Sequence, residues 1–451
     1  MAETAPKSVP KQHPGSPTAA IALVALYAAL LMLPLVLAVT TGDPEAEPLL
    51  RMLGQSFALV AMVILALQVM LAARIKAICE HYGLDMLLRF HRSMAVLAVL
   101  LLVAHPVLLA LNSGSWALLT GLQQSWPILL GKTSLLLLLI VAVTSLFRRR
   151  LLNFEAWHKV HGLAPAILVL GFVHSWVVGD HLQATPMRVL WIVLLAASLV
   201  VYALHKFVWP AARRSKLWTV ASVTQETDRV WTLEFEPPEG VEPLHYAPGQ
   251  FSFLRLYRGD ERYDGEEHHF TISSSPLQIP THTCTIKISG DFTATIGATK
   301  PGDTATVQGA FGRFSYTLHP PSNKYLFVAG GIGITPLMSM LRHMRDAALD
   351  VDVTLIYAND TQADIAFRDE LDEIAEQDTP RLNVVHVLAK EDWDGPIGHV
   401  NRTHIAQATA EELSEYAIYV CGPPAMMTRV IRTVLRMGAR EDRLYSERFW
   451  L

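Results

Sequence analysis

The stretch HRSMAVLAVLLLVAH, residues 91–105, has a histidine at each end of an almost wholly apolar run. Such a run is typical of a membrane-spanning helix, which needs about 20 apolar residues to cross a bilayer. An ionisable side chain inside a span indicates a functional site, because burying it without a partner is costly. The stretch therefore predicts both a membrane span and a site that uses imidazole.

The first half of the 451-residue chain carries five more apolar runs of similar length. Residues 1–18 show no periodicity, and we expect a disordered tail there. The first run lacks a small-residue cleavage site, which favours an uncleaved span over a signal peptide. The six predicted spans of a transmembrane domain over residues 19–212 are 19–40, 54–73, 91–111, 127–147, 158–178 and 186–209.

Basic residues concentrate in alternate connections between these spans. By the positive-inside rule, the N-terminus and the C-terminal half are predicted on the cytoplasmic side of the cell (inner) membrane. The third and fifth spans then both run from the inside to the outside. The basic residues concerned are Arg74, Lys76, Arg89, Arg92, Arg148, Arg149, Arg150, Lys159, Lys206, Arg213, Arg214 and Lys216.

The third and fifth spans each contain two histidines, His91 with His105 and His161 with His174. At 1.5 Å per residue, the members of each pair lie about 20 Å apart along the helix axis. Four histidines at matching depths on two parallel spans favour two stacked b haems, each iron held by one imidazole from each span. We predict His91 and His161 as the metal ligands near the cytoplasm, and His105 and His174 as those near the outside.

The helical phase favours this arrangement in the third span but not in the fifth. Fourteen residues return an ideal helix to within about 40° of the starting face, whereas thirteen leave it about 140° away. Pro165 could re-phase the fifth span, and His158 is an alternative to His161. Two other interpretations stay open, namely interfacial histidines that bind nothing and a proton relay. A relay would need carboxylates, which the two spans lack.

The composition argues against several classes of protein. A net charge of −4 does not indicate a nucleic-acid partner. The three cysteines, Cys79, Cys284 and Cys421, lie far apart and have neither metal-ligand nor iron–sulfur spacing. A disulfide framework is not indicated either.

Residues 215–451 have the composition of a soluble protein in two parts. Residues 215–320 alternate polar and apolar residues between turns, which predicts an antiparallel β-barrel. Residues 323–451 alternate strand and helix patterns, which predicts a doubly wound α/β domain. The turn GGIGITP, residues 330–336, would let backbone N–H groups approach a pyrophosphate, although such glycines also serve packing. Cys421 ends a later strand, at the sheet edge where ligands bind, or is a small buried filler.

The motifs HFT (269–271), IKISGDFT (286–293), GGIGITPL (330–337) and CGPP (421–424), behind a bis-histidine bundle, resemble the NADPH oxidase and ferric reductase superfamily. The resemblance covers residues 50–451. The flavin and nucleotide parts are also similar to ferredoxin–NADP reductases. The resemblance implies FAD in the barrel cleft, NAD(P)H on the sheet and two b haems in the membrane.

The resemblance also implies roles for individual residues. Cys421 would lie near the nicotinamide carbon that gives up hydride, and Phe449 would cover the flavin, with Trp450 as a second candidate. Arg51 would lie near the outer haem, or is an interfacial anchor. The implied FAD-binding residues are His268, Phe270, Thr271, Ser273, Ser274, Lys287, Gly290, Asp291 and Thr293. The implied NAD(P)H-binding residues are Gly331, Gly333, Thr335, Pro336 and Asp360.

Three positions depart from the family pattern. His269 stands where the family has proline, and Leu109 stands where some animal oxidases have a histidine. Asp360 stands where relatives often have an arginine that suits a 2′-phosphate. An acidic group favours ribose hydroxyls, so Asp360 favours NADH, although Arg368 is close in sequence.

The sequence thus predicts a membrane-embedded NAD(P)H oxidase that passes electrons through FAD and two haems to oxygen and produces superoxide. Two alternatives are a ferric-chelate reductase with the same path and an electron-relay subunit that serves a partner protein. The expected partners are membrane lipid and either oxygen or a ferric chelate. The short outer loops hold no evident iron-binding cluster, which favours oxygen slightly.

Overall fold

The computed structural model describes residues 16–41, 48–152, 154–259, 264–409 and 413–447. Most of the predicted N-terminal tail, together with Phe449 and Trp450, lies outside the described residues. The chain separates into two compact units, a helical one up to Pro210 and one from Ala211 that contains all the described strands.

Among the described residues, six helical segments are long and apolar enough to cross a membrane, as the hydropathy pattern predicts. The chain is therefore a multi-pass membrane protein. The helices of this unit are α1 (Pro17–Thr41), α2 (Leu49–Ala72), α3 (Lys76–Tyr82), α4 (Leu84–Ser113), α5 (Ala117–Thr120), α6 (Trp126–Leu146), α7 (Arg148–Leu151), α8 (Phe154–His161), α9 (Ala164–Val178), α10 (Thr185–Ala203) and, after a π-helical turn, α11 (Trp209–Arg214).

The fifth predicted span is two helices rather than one. α8 ends at His161, and α9 begins at Ala164 with Pro165 in its first turn. Proline has no N–H to donate and is tolerated in the first turn of a helix, where that N–H would have no partner. The break at Gly162 and Leu163 therefore resets the helical phase between His161 and His174.

α2 is the central helix of the bundle, with half of its apolar stretch buried against other helices. Small residues on it, such as Ala61 and Ala66, are fully buried and allow close helix packing. Ser198 of α10 donates a hydrogen bond to the Ala66 carbonyl at 3.0 Å. The other spans expose large apolar side chains such as Leu100, Leu136 and Val193, as lipid contact requires.

The second unit begins with six antiparallel strands in the order β4-β3-β6-β1-β2-β5. A bridge between Ile272 and Cys284 joins the end of β4 to β5 and closes the sheet into the predicted barrel. Apolar side chains from alternate positions, such as Leu233 and Leu254, fill its core. The strands are β1 (Trp218–Thr227), β2 (Val230–Glu236), β3 (Phe251–Tyr257), β4 (Glu267–Thr271), β5 (His282–Lys287) and β6 (Thr304–Phe311), with the short helix α12 (Asp291–Ala294) before β6.

The remainder is the predicted doubly wound domain, a parallel sheet in the order β11-β10-β7-β8-β9. The chain leaves β7 toward β8 on one side and later returns to β10 on the other. Ligands of such sheets bind at the carboxyl ends of the strands beside this reversal. The elements are β7 (Lys324–Gly330), α13 (Ile334–Asp346), β8 (Asp352–Asn359), α14 (Arg368–Ala375), β9 (Arg381–Leu388), α15 (Arg402–Thr409), β10 (Ala417–Cys421), α16 (Pro424–Arg436) and β11 (Leu444–Ser446).

Candidate redox sites

The structure brings together the first predicted histidine pair. The ring centroids of His91 on α4 and His161 on α8 lie 6.2 Å apart. Since a metal–imidazole bond is about 2.0 Å, two imidazoles on opposite sides of one metal have centroids about 6 to 6.5 Å apart. The separation of the two rings would therefore let both imidazoles bind one metal ion between them.

His158, the alternative ligand, does not take this place. His158 is exposed and precedes His161 by three residues in the last turn of α8, whereas the His161 ring lies beside that of His91 on α4. The Trp157 ring packs on the His161 ring, with centroids 5.1 Å apart, and its Nε1 donates to Ser145 Oγ on α6 at 3.0 Å. Trp157 therefore connects α6 to the first histidine pair.

The second pair is oriented by backbone carbonyls. His105 Nδ1 lies 2.9 Å from the Gly54 carbonyl oxygen, and His174 Nδ1 lies 2.8 Å from that of Pro127. A carbonyl oxygen only accepts hydrogen bonds, so each Nδ1 carries the proton and each Nε2 keeps a free lone pair. Backbone carbonyl partners of this kind are usual for imidazoles that bind metals.

Arg51 lies at the same end of the bundle as the second pair, one turn before Gly54 on α2. Its guanidinium forms an ion pair with Asp180 at 2.6 Å, and Gln55 Nε2 donates to the same carboxylate oxygen at 3.0 Å. Both charged side chains are about half exposed, so this contact alone contributes little to stability. The pair holds a cation at the end of the bundle.

The predicted flavin strand carries a stack of three rings. His268 on β4 stacks on Phe292 of α12, with centroids 3.9 Å apart, and Phe270 is nearly parallel to both at just over 6 Å. Burial lowers the pKa of His268 and outweighs the opposite effect of the Glu266 carboxylate beside it. The sequence reasoning did not identify Phe292, although it follows Asp291 in the quoted motif.

The other predicted flavin residues divide into two groups. Thr293 Oγ1 accepts from the backbone N–H groups of Ser289 and Gly290, which closes the turn before α12. Asp291 is exposed at the start of that helix. Lys287 Nζ lies 3.8 Å from where a Cβ on Gly331 would be, so the amino group reaches the nucleotide turn.

Thr271, Ser273 and Ser274 are buried where the barrel meets the α/β domain. The Ser273 hydroxyl bonds to Thr283 and Thr285 inside the barrel, and the Ser273 carbonyl accepts from Arg342 of α13 at 2.7 Å. The Ser274 carbonyl accepts from Ser339 of the same helix, also at 2.7 Å. These contacts hold the barrel against the nucleotide domain.

The predicted nucleotide turn packs against the end of β10. Gly331 has a positive φ of 52°, which favours glycine. A Cβ on Gly333 would lie 2.4 Å from the Cys421 carbonyl oxygen, so only glycine permits this close approach. Thr335 and Pro336 are buried in the first turn of α13. The glycines therefore fix the turn before α13 closely against the end of β10.

Cys421 is buried beside a carboxylate that the sequence reasoning missed. Burial raises the pKa of its thiol, and nearby Glu447 raises it further, so the thiol is protonated at neutral pH. Glu447 is itself buried, with its carboxylate about 3 Å from where a Cβ on Gly312 would be. Its only sequence signal was its place in the terminal SERFWL, two residues before Phe449.

Asp360 lies just after β8, at the carboxyl edge of the sheet. Its carboxylate accepts from Lys390 Nζ at 2.7 Å, and this bond raises the pKa of Lys390. Arg368 lies on the same side of the domain and donates to Gln362. Arg368 was the cation expected near Asp360 from the sequence, whereas the folded domain pairs the Asp360 carboxylate with Lys390.

Comparisons with known proteins match both units. A family model described as a ferric reductase like transmembrane component matches residues 57–172, and one described as an oxidoreductase NAD-binding domain matches residues 327–432. The chain is 25% identical over 293 residues to a plasma membrane-associated coenzyme Q6 reductase of Saccharomyces cerevisiae, with 62% of this chain and 90% of the relative aligned.

It is also 31% identical over 154 residues to NADH-cytochrome b5 reductase 1 of Candida glabrata. That alignment covers 33% of this chain and 53% of the relative, about half of its length. A glycine betaine monooxygenase reductase subunit of Pseudomonas aeruginosa is 32% identical over 236 residues, with 50% and 62% aligned. Among solved structures, the FAD/NAD-binding domain of a Vibrio cholerae nitric oxide dioxygenase has a TM-score of 0.46 at 20% identity, covering 51% of this chain and 97% of that one.

The fold, the sites and these matches define a membrane-bound, flavin- and NAD(P)H-dependent reductase with a ferric reductase-like transmembrane domain. The two family models match the transmembrane and nucleotide-binding parts in which the motifs of the chain resemble the NADPH oxidase and ferric reductase superfamily.

Proposed function

We propose that the protein takes electrons from cytoplasmic NAD(P)H, passes them through FAD and two bis-histidine b haems, and reduces oxygen outside the membrane to superoxide. The observation that carries the proposal is the arrangement of four histidines as two pairs inside the membrane unit. The spacing of one pair suits a single iron, and backbone carbonyls orient both members of the other.

The residues present fit b haem. Each pair offers one imidazole from α4 and one from the α8–α9 segment, which leaves a porphyrin to complete the coordination. Two axial histidines would leave no open coordination position on either iron. Oxygen would therefore be reduced at the haem edge rather than bound to iron.

The residues of the second unit fit the flavin and nucleotide. When bound, FAD accepts hydride from nicotinamide and returns single electrons, which suits one-electron acceptance by haem. The ring stack of His268, Phe292 and Phe270 offers an aromatic wall. Lys287 and the turn at Gly331 place a cation and backbone N–H groups where phosphates would bind.

Cys421 and Glu447 border the carboxyl end of β10, next to the nucleotide turn. Both are buried, and we infer that they shield the reacting edge of nicotinamide from water. The thiol is held protonated, so Cys421 acts by packing and weak hydrogen bonding rather than as a thiolate. We also propose that Phe449 covers the flavin ring.

The cytoplasmic placement of this unit rests on the basic residues of alternate connections between the spans, such as Arg148 and Arg150 in α7. With that orientation, the His91 and His161 pair lies near the cytoplasm and the His105 and His174 pair near the outside. The cation of Arg51 then lies near the outer haem, where it would attract an anionic group.

Ferric-chelate reduction is the second candidate, since the matching transmembrane family model carries that description. Oxygen uptake by the purified, FAD- and haem-loaded chain should be measured with NADH and NADPH, with and without superoxide dismutase and ferric citrate. Dismutase-sensitive reduction of a superoxide probe supports the oxidase. Ferric citrate reduction that persists without oxygen and exceeds oxygen uptake supports the ferric reductase.

Very slow turnover with both acceptors would instead indicate a relay subunit that needs a partner protein. The electron path has a separate test. His105→Leu combined with His174→Leu should leave reduction of FAD by NAD(P)H intact and stop reduction of acceptors outside the membrane. Continued reduction outside by this double variant would contradict the proposed path.

A further inference from the structure

We propose that Trp157 is a positioning residue for the haem ligand His161, and that its indole ring fixes the plane of the His161 imidazole relative to that of His91. This inference rests on the proposed haem at His91 and His161. It assigns a function to a tryptophan and to the serine that holds it, Ser145, neither of which is a proposed ligand.

No hydrogen bond at Nδ1 orients the His161 ring. Among the described residues, this nitrogen is buried and has no hydrogen-bond partner. At the second site, by contrast, His105 Nδ1 and His174 Nδ1 lie 2.9 and 2.8 Å from backbone carbonyl oxygens. Rotation of a histidine ring about its last side-chain bond has only broad intrinsic preferences. The plane of the His161 ring must therefore be set by packing.

Trp157 supplies that packing. Trp157 and His161 are four residues apart on α8, a spacing that places their side chains on the same face of the helix. The centroids of the indole and imidazole rings are 5.1 Å apart, and the ring planes are tilted by 31°. His161 is also the last residue of α8, and helix ends fray. The indole therefore supports an imidazole that neither an Nδ1 hydrogen bond nor a further turn of helix holds.

Trp157 is itself held by the residues at the end of α6 and in α7. Its Nε1 donates a hydrogen bond to Ser145 Oγ at 3.0 Å. The Arg148 guanidinium lies over its ring, 5.1 Å from the centroid, which is within the range of a cation–π contact. A tryptophan side chain has only two torsions, so a hydrogen bond and a ring contact together fix its orientation. The position of α6 therefore determines the position of the His161 ring.

The tilt between the two ligand rings makes this role observable. The planes of the His91 and His161 rings are 57° apart. The orientation of an imidazole decides which iron d orbitals its π system overlaps, so the g values of a low-spin ferric haem depend on the angle between its two ligand planes. Groups outside the ligands commonly fix such orientations. A tryptophan that only filled space would affect stability and leave this angle unchanged.

The test is electron paramagnetic resonance of the full-length, haem-loaded chain in detergent. His105→Leu and His174→Leu are combined in a background chain, so that only the first histidine pair holds haem. In this background, Trp157→Leu removes the ring and Trp157→Phe keeps a ring without the N–H group. Ser145→Ala keeps the indole and removes the acceptor of its N–H group.

Trp176→Leu is the matched control in the same background. Trp176 of α9 also packs on another ring, that of Phe172, with centroids 5.5 Å apart. The Arg188 guanidinium lies over the Trp176 ring, 5.6 Å from the centroid. The stacking partner of Trp176 is not a proposed ligand, so the g values of this control should equal those of the background chain.

We expect Trp157→Leu to shift the g values and to increase the rate of haem dissociation by on the order of tenfold. Trp157→Phe should retain most of the background signal, and Ser145→Ala should broaden it, because the indole loses its anchor. Unchanged g values in Trp157→Leu, or an equal shift in the control, would overturn the proposal.

The proposal stays testable if Trp157→Leu binds no haem. Ser145→Ala then decides, since a broadened or shifted spectrum supports the role of Trp157 and an unchanged spectrum overturns it. A background chain without a low-spin, bis-histidine haem would instead contradict the proposed function, whatever the variants of Trp157 show.

Discussion

Gly131 of α6 lies directly against the His174 imidazole of α9, so closely that a Cβ at Gly131 would be 2.7 Å from both Nδ1 and Cε1. Contacts this short do not occur between carbon atoms in folded proteins. Because Gly131 has no side chain, the His174 ring can lie directly against α6. There its Nδ1 hydrogen-bonds to the Pro127 carbonyl, four residues earlier on the same helix.

Gly131→Ala should displace the His174 ring and break its bond to Pro127. We expect the haem content of the purified protein to fall from two per chain to one, measured from the absorbance of extracted haem. Thr133→Ala is the control. Thr133 lies on the exposed face of the same helix, and its hydroxyl donates to the Leu129 carbonyl within that helix. Two retained haems in Gly131→Ala would show that the ring is free to adopt another position.

Replacement of His161 should differ from replacement of His158, although the two lie on the same turn of α8. His161→Ala removes the ring 6.2 Å from His91 and should lose one haem with its low-spin absorption bands. His158→Ala should keep both haems, because His158 is exposed and the ring that lies 6.2 Å from His91 is that of His161. The measurement is the reduced-minus-oxidised absorption spectrum of each variant. Loss of a haem in His158→Ala but not in His161→Ala would identify His158 as the ligand instead.

Asp360→Asn should shift the coenzyme preference toward NADPH. The change removes the anion that would repel a 2′-phosphate and leaves the Lys390 cation. We therefore expect the ratio of kcat/KM for NADPH to kcat/KM for NADH to increase by on the order of tenfold. Asp350→Asn is a matched control, since Asp350 is also exposed and paired with a cation, Arg381, at the opposite end of β8. Equal ratios in the two variants would exclude Asp360 from coenzyme selection.

His282 makes the stability of the barrel depend on pH. Its ring is fully buried against Trp218 and Phe235, and burial lowers its pKa to about 3. Below pH about 6.5 the unfolded chain binds a proton that the folded chain does not. The free energy of unfolding should therefore fall as pH drops from about 6.5 toward 3, by up to about 1.4 kcal/mol per pH unit from this group.

His282→Phe should weaken this dependence between pH 7 and pH 5, measured from the urea concentration at which the full chain releases FAD. His399→Phe is the control, because His399 is exposed. An identical pH dependence in His282→Phe and in the wild type would show that other groups control acid unfolding.

Much of the fold follows from local patterns. Apolar runs near the length of a bilayer predict the spans, and alternating or helical periodicity predicts the barrel and the doubly wound sheet. The break between His161 and Ala164 was less certain, because Pro165 permits a kink without deciding where the helix ends. The turn containing Gly331 and Gly333 was predicted from glycines alone, and the structure adds that Gly333 packs on Cys421.

The candidate site was predicted in its ligands but not in their surroundings. Histidines in apolar spans stand out because ionisable groups are costly there, so His91, His105, His161 and His174 were found from composition and spacing. Which of them meet, and that Gly54 and Gly131 support them, depends on contacts between helices that are distant in sequence. The pairing of Asp360 with Lys390 rather than with Arg368 was not predicted for the same reason, since Lys390 lies thirty residues away.

The amino-acid order alone therefore determined the class of each segment and pointed to the histidines proposed as haem ligands, because hydropathy, periodicity and ionisable groups are local properties. Tertiary structure alone decided the partner of each residue: His161 beside His91, the Gly54 carbonyl at Nδ1 of His105, and Lys390 on Asp360. The physical reason is that hydrogen bonds and ion pairs act over a few ångströms, and only packing brings distant residues that close.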